Sequence, residues 1–370
     1  MKILIIANST LVFGKELKEV LEKEMDVMLL DFEHLYLFGH EERDDRLSRR
    51  FSMLKRLPKL SMLFRIYLIG KEIKEGKYDM VNIHYNRWYY RWLLPLLNRT
   101  GTKLVVSTYG SDFYRASDRI RNRLRPIYEQ ADAITFTNIL TKEAFVNFYG
   151  DFGYKSYVCR FGLKTLDYID RNRDANRREI RRKLGYATDK IIVTCGYNAT
   201  SAQQHFQIIE AIEGIERDLK KRCQFIFPLT YGDEGYKRKV TAALEKVSFD
   251  YVVLEDFLYA DDNAYVKLAS DVMVNMLETD SFSGSMQEFL YADNVVITGK
   301  WLPYGTFDDA GIFWHKIEST QELGSTMQNV LSSLENSKQK TGDNRTIIAS
   351  LSSWKRNAES WKNVFKGVMV

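Results

Sequence analysis

Short apolar runs alternate with helical patterns along almost the whole chain, and this alternation restricts the fold more than any other feature. Residues 2–7 form a nearly unbroken apolar run, followed by polar Asn8-Ser9-Thr10 and a helical pattern over 16–24. Runs of the same kind recur at 27–31, 80–83, 103–108, 133–137 and 156–159, with helical patterns between them. Strands this short and this continuously apolar are buried on both faces, which predicts a parallel sheet covered by helices on either side. The alternation stops over 164–190, a charged helical stretch. It restarts at 191–195 and continues at 224–228, 251–254, 272–276 and 295–298, with a last strand expected at 311–314. An α/β protein of two Rossmann-like halves follows, with domains expected at 1–163 and 164–351. The terminal 352–370 is an amphipathic helix carrying Trp354, Trp361 and Phe365, spaced seven and then four.

Composition removes several classes. A chain of 370 residues is long enough for two domains, and 45% hydrophobic with 28% charged residues is neither disordered nor fibrous. Cys159, Cys195 and Cys223 are odd in number and far apart, which argues against a disulfide framework or zinc site and predicts a reducing cytoplasm. The apolar part of MKILIIANST is too short for a signal peptide, and no run reaches the ~20 apolar residues of a membrane span. Neither GxGxxG nor GxxxxGK[ST] occurs, so dinucleotide-dependent oxidoreduction and P-loop chemistry lose support.

In open parallel sheets ligands bind beyond the carboxyl ends of the strands. The residues there are Asn8-Ser9, His84, Tyr109–Asp112, Arg160–Gly162, Gly196–Thr200, Leu229–Gly232, Phe257 and Glu278–Ser285. The small and hydroxyl residues of 196–205, Asn198 and Thr200 among them, either admit a pyrophosphate to backbone N–H groups or form an ordinary capped turn. Asp112 orients an acceptor hydroxyl or takes its proton, or else caps the helix around 113–123. His84, Asn86 and the aromatics beside them suit a sugar ring. A lone histidine with no partner at ligand spacing gives no metal site. In the stretch LETDSFSGSMQE (277–288), Ser285-Met-Gln-Glu288 reads as a capping box, with Glu288 folded back on its own helix. A Glu288 that serves a ligand needs the helix to begin earlier, near Ser283. The helix start decides between them.

Charge is concentrated. Between Arg46 and Lys74 stand nine Lys or Arg against one acid, Glu72, so this window carries +8 and the rest of the chain −3. Leu47, Phe51 and Leu54 fall at helical spacing in it. An anionic membrane surface, or a lipid-linked pyrophosphate held against it, is the expected partner, and an ordinary solvated basic helix is the alternative. Nucleic acid is not, because no stacking pattern or nucleic-acid-binding signature is present.

The order of these features resembles the two-domain GT-B glycosyltransferases, in particular the large family 4 of nucleotide-sugar-dependent enzymes. The resemblance runs over nearly the whole chain and is strongest over 251–305. There a strand, a bend, a helix, a strand ending at an acidic loop and a glutamate-bearing helix follow the family's order. YGSD (109–112) is similar to the family's HG-x-D, and RFGL (160–163) to its domain-crossing turn. A looser similarity, carried by CGYNATSAQQH (195–205) and FPLTYGDEGYKRKV (227–240), is to bacterial 4-acetamido-4,6-dideoxygalactose transferases. Three departures stand out. Asp280 replaces the usual Glu eight positions before Glu288. Tyr109 replaces a histidine. The Arg and Lys that commonly meet the donor pyrophosphate are absent from a region holding Asn198, Thr200 and Gln204.

The resemblance implies two domains facing a cleft, with the C-terminal helix crossing back to the first domain. It implies a metal-independent transferase that uses no cofactor and takes a UDP-, dTDP- or GDP-sugar as donor. Hexosyl or amino-sugar transfer to a lipid-linked or polysaccharide acceptor, at the cytoplasmic membrane face, is the expected reaction. Glu288 would accept from ribose hydroxyls, while Ser283, Gly284 and Ser285 would cradle the pyrophosphate, with Arg160, Asn198 and Thr200 nearby. Phe257 and Leu258 would border the base. Asp280, Asp112 and Tyr109 would be catalytic, and Ser9, His84 and Asn86 would meet the acceptor. The competing expectations are a binding protein of this fold without transfer activity, and a nucleotide-sugar epimerase.

Overall fold

The computed structural model describes residues 1–7, 11–35, 37–38, 58–150, 152–280 and 283–370. The chain divides into two compact units, residues 1–162 with 354–370, and residues 163–353.

Unit 1 is built on β1 (Lys2–Ala7), β2 (Asp26–Asp31), β3 (Leu37–Phe38), β4 (Met80–His84), β5 (Lys103–Thr108), β6 (Ala133–Phe136) and β7 (Ser156–Val158). Their order in the sheet is β3-β2-β1-β4-β5-β6-β7, parallel except for the short antiparallel β3. Successive side chains of a strand point to opposite faces, and in β1 both faces are filled. Leu4 and Ile6 join a cluster with Ile69 and Ile73 of the helix Pro58–Gly76. Ile3, Ile5 and Ala7 join another with Leu17, Leu21, Trp361 and Phe365. The terminal helix Trp354–Met369 therefore covers one face of the first sheet, because its Trp and Phe stripe has an apolar surface to bury there.

Unit 2 is built on β8 (Ile191–Cys195), β9 (Cys223–Pro228), β10 (Tyr251–Leu254), β11 (Val272–Asn275), β12 (Val295–Gly299) and β13 (His315–Ile317), in the order β10-β9-β8-β11-β12-β13, all parallel. The charged stretch after 164 is part of this unit. Its helix Thr165–Asn172 buries Leu166 and Ile169 in the core, and Arg181 of the helix Arg177–Lys183 pairs with buried Asp271 at 2.7 Å.

The last strand begins later than 311–314. Gly311 turns the chain with φ +87, Ile312 and Trp314 point into the core, and the Phe313 N–H donates to Asn344 Oδ1 at 2.8 Å instead of a ladder. Pairing with β12 starts at His315. Among the described residues no helix is long and apolar enough to cross a membrane.

In each sheet the strand order reverses its direction of growth once, between β1 and β4 in unit 1 and between β8 and β11 in unit 2. The loops leaving the carboxyl ends of two adjacent strands part there, opening the crevice in which α/β sheets hold ligands.

Candidate functional site

At the reversal point of unit 2, the loop after β11 leads into the helix Gly284–Tyr291. Ser283 is its N-cap, and its Oγ accepts from the Met286 N–H at 3.2 Å. The helix therefore starts before Ser285, and the Ser285–Glu288 capping box does not form. Glu288 lies in the second turn instead, with Oε2 3.1 Å from Lys267 Nζ and 3.4 Å from Asn263 Nδ2, both on the helix Ala260–Ala269. Lys267 also donates to Asn263 Oδ1. Of the first-turn N–H groups that a helix leaves without an internal partner, Met286 is capped and Gln287 bonds the Ser283 carbonyl at 3.3 Å. Among the described residues those of Gly284 and Ser285 have no acceptor, at the end where the helix dipole favours an anion.

Asp280 lies half-buried before this helix. Its carboxylate accepts from the hydroxyl of Tyr304, which is buried and receives Asn275 Nδ2 at 3.3 Å. Burial, and after it the charge of Asp280, raises the pKa of the Tyr197 hydroxyl well above its ordinary value.

The turn after β8 is tied together from within. Asn198 Oδ1 accepts from the Thr200 N–H at 3.1 Å and from its hydroxyl at 2.8 Å, while Asn198 Nδ2 donates to the Tyr231 hydroxyl at 3.4 Å. Gln203 is fully enclosed, with neither amide atom hydrogen-bonded. Burial lowers the pKa of His205 to about 4, so its ring is neutral, with Nδ1 3.3 Å from the Tyr236 hydroxyl. Gly196 makes this packing possible: φ is +70, and a Cβ there would lie 2.9 Å from Gln203 Oε1. Beyond β10, Phe257 is half-exposed, its ring 5.5 Å from Tyr231 and 4.6 Å from Tyr259; Leu258 packs at the core's edge.

In unit 1, His84 at the end of β4 is fully enclosed, and burial takes its pKa down to about 3. Asn82 uses Nδ2 to donate to Val105 O and Ser107 Oγ, so its Oδ1 accepts from His84 Nε2 at 2.6 Å. His84 Nδ1 then accepts from the Tyr109 hydroxyl at 2.9 Å. Both ring nitrogens are occupied inside the protein, and the ring stacks on Trp361. His84 thus supports Tyr109, whose ring lies on Phe161 at 5.1 Å.

Asp112 caps neither the helix it sits in, Ser111–Tyr114, nor the next. Its Oδ1 accepts from the N–H groups of Tyr109 at 3.0 Å and Gly110 at 3.1 Å, and its Oδ2 from that of Asn86 at 3.2 Å. The carboxylate staples the end of β5 to the end of β4. Burial outweighs these donors and raises its pKa to about 6. Asn86 is 2% exposed, and both atoms of its side-chain amide are sealed from solvent. Arg160 is in unit 1, its backbone oxygen accepting from Trp361 Nε1 at 2.9 Å, and burial lowers its pKa. Ser9 and residues 46–57 of the basic window lie outside the described residues. Of that window's remainder, Leu63 and Tyr67 are exposed.

The sequence reading missed Lys267, Tyr304 and Tyr197. The one local signal was the Asn263–Lys267 spacing of four on a helix, which brings two side chains together. Among the described residues no cluster of three or more His, Cys, Asp or Glu could hold a metal ion. The arrangement in unit 2 offers backbone donors for an anion and two anchored carboxylates for hydroxyl groups.

No known family model matches the chain, and no curated protein matches it in sequence. Solved structures do. HepE from Anabaena, in complex with UDP and glucose, matches with a TM-score of 0.70 at 12% identity, covering 99% of this chain and 100% of that one. A glycosyltransferase from Rickettsia africae matches at 0.75 and 15%, covering 100% and 98%. Sucrose-phosphate synthase from Thermosynechococcus elongatus matches at 0.73 and 13%, covering 100% and 99%. The expected fold is the one found, GT-B with two parallel-sheet α/β domains.

Proposed function

We propose that this GT-B chain is a glycosyltransferase that moves a hexosyl or amino-sugar group from a UDP-, dTDP- or GDP-sugar to a lipid-linked or polysaccharide acceptor, without a metal, at the cytoplasmic membrane face. The observation that carries the reading is the helix start at Gly284, which takes Glu288 out of a cap and sets it beside Lys267 at the reversal point of the second sheet. The solved complex of HepE with UDP and glucose, a protein of the same fold, supports a nucleotide-sugar donor.

In this reading Glu288 accepts from the pentose hydroxyls, and the Gly284 and Ser285 N–H groups meet the diphosphate, with Ser283 fixing their direction. Asn198 and Thr200 complete its surroundings, and Phe257 and Leu258 border the base. Departure of a nucleoside diphosphate puts negative charge on the leaving oxygen, and donors already aimed at that point lower the barrier. Asp280, held by Tyr304, faces the transferred sugar. Asp112 and Tyr109 act on the acceptor side, with His84 holding Tyr109 from within. The basic window 46–74 holds the protein to anionic lipid.

Millimolar UDP, dTDP or GDP is expected to raise the melting temperature, and labelled nucleotide sugars are expected to be hydrolysed slowly. Glu288→Ala should lower donor affinity by about tenfold or more, the scale of a lost charged hydrogen bond. No thermal shift with any nucleotide would sink the reading. A second reading, a binding protein of this fold, is favoured by Asn198, Thr200 and Gln204 standing where the resemblance expects cations. Nucleotide binding without any donor hydrolysis would select it. Flotation with anionic vesicles tests the membrane part.

A further inference from the structure

Glu288 stands one turn beyond Gly284, about 6 Å further along the axis, on the helix face where the Gly284 N–H lies. Helical side chains lean back toward the N-terminus, which brings its carboxylate closer to that end. The two oxygens of this carboxylate have different surroundings. Oε2 is turned to the helix Ala260–Ala269, with Lys267 Nζ at 3.1 Å and Asn263 Nδ2 at 3.4 Å. Both donors are themselves fixed. Lys267 is 5% exposed, donates to Asn263 Oδ1 and lies 5.3 Å from the centre of the Phe289 ring. Asn263 Nδ2 also meets Thr165 Oγ1 at 3.3 Å. Oε1 differs: among the described residues it accepts no hydrogen bond, yet it is not one of the polar atoms left both sealed and unpaired, so solvent reaches it.

A free carboxylate is a flat fork that can take two vicinal hydroxyls at once, one on each oxygen. Here one prong is engaged by a buried cation, and withdrawing it would leave the Lys267 charge buried without a partner. We infer that Glu288 reads a single hydroxyl of the donor's pentose, through Oε1, and that Lys267 is the positioning residue that withholds Oε2. The inference rests on the nucleotide-sugar reading for its ligand and sharpens what that ligand must carry. A nucleotide that keeps the hydroxyl read by Oε1 is accepted whether or not it carries the other. Ribose and the deoxyribose that retains this hydroxyl are then alike to the site.

The test is calorimetric titration of the full-length protein with UDP, 2′-deoxy-UDP and 3′-deoxy-UDP, and with the same three forms of GDP. In the series that binds, one deoxy form should lose about tenfold or more in affinity, the scale of a hydrogen bond to a charged group, and the other less than about threefold. Glu288→Gln should bring the larger loss below about threefold, because a neutral amide is the weaker acceptor. Lys267→Met frees Oε2, so the second deoxy form should then lose about tenfold as well. Lys267→Arg, which keeps the charge, should preserve the original asymmetry. A lysine that only stabilises the unit would change all three affinities by one factor and leave their ratios alone. The wild-type ratios need no variant to fold. Losses of about tenfold or more for both deoxy forms, or no loss for either, overturn the inference and leave nucleotide binding standing. Failure of both parent nucleotides to bind sinks it together with the transferase reading.

Discussion

Glu288 is 8% exposed and Lys267 is 5% exposed, so each is the other's principal means of remaining charged away from water. Taking one partner away strands a charge, whereas replacing both leaves a gap of ordinary size. Lys267→Met is therefore expected to destabilise unit 2 by about 3 kcal/mol, and the double variant Lys267→Met with Glu288→Leu to recover much of it; urea denaturation of the three variants measures the coupling. Asp112 makes a pH-dependent counterpart in unit 1. Its folded pKa of about 6 lies above the unfolded carboxylate value, so the folded state holds the extra proton between about pH 4 and 6. Stability then falls as pH rises through that window and is level above it, by up to about 3 kcal/mol. His84 and His205, neutral in the fold, push the other way on acidification. Comparison with Asp112→Asn cancels them. The stability difference, wild type minus variant, should shrink from pH 4 to 6 in urea titrations and then hold steady.

At the scale of elements, two helices do more than cover a sheet. In the helix Gly284–Tyr291 the first residue sets where Glu288 points: a start at Ser285 would close Glu288 onto its own cap, and a start at Gly284 frees it. The terminal helix Trp354–Met369 is the other. Trp361 is 1% exposed, donates from Nε1 to the Arg160 carbonyl and stacks on His84, so it packs behind the histidine that holds Tyr109. Trp361→Ala should cost about 4 kcal/mol, the usual toll of emptying a large aromatic site. It should also shift the Tyr109 ring signals, which NMR of the folded variant would detect. Retained stability together with unmoved Tyr109 signals would show the helix to be an accessory.

At the scale of the molecule, each unit encloses its own apolar clusters and its own strand-order reversal. Nearly all strands of this arrangement were legible in the sequence, because an apolar run buried on both faces is a local signal. The exceptions are instructive. β3 has two residues and runs antiparallel at an edge, too short to leave a pattern. The last strand was read three to four residues early, since Ile312 and Trp314 are apolar for core packing rather than for pairing. The candidate positions after the strands were legible for the same reason, since a strand's end marks where the chain reaches the sheet's edge. Their partners were not. Lys267 and Glu288 are 21 positions apart, Asp280 and Tyr304 are 24, and Asn86 and Asp112 are 26. Periodicity determined the two-sheet α/β class by itself, because helix and strand periods act over a few residues. Which side chains meet was decided by strand order and register, because these bring distant segments within hydrogen-bond reach and no local rule encodes that distance; where the Glu288 helix begins was a choice between two local caps, Ser283 and Ser285, that the structure resolves for Ser283.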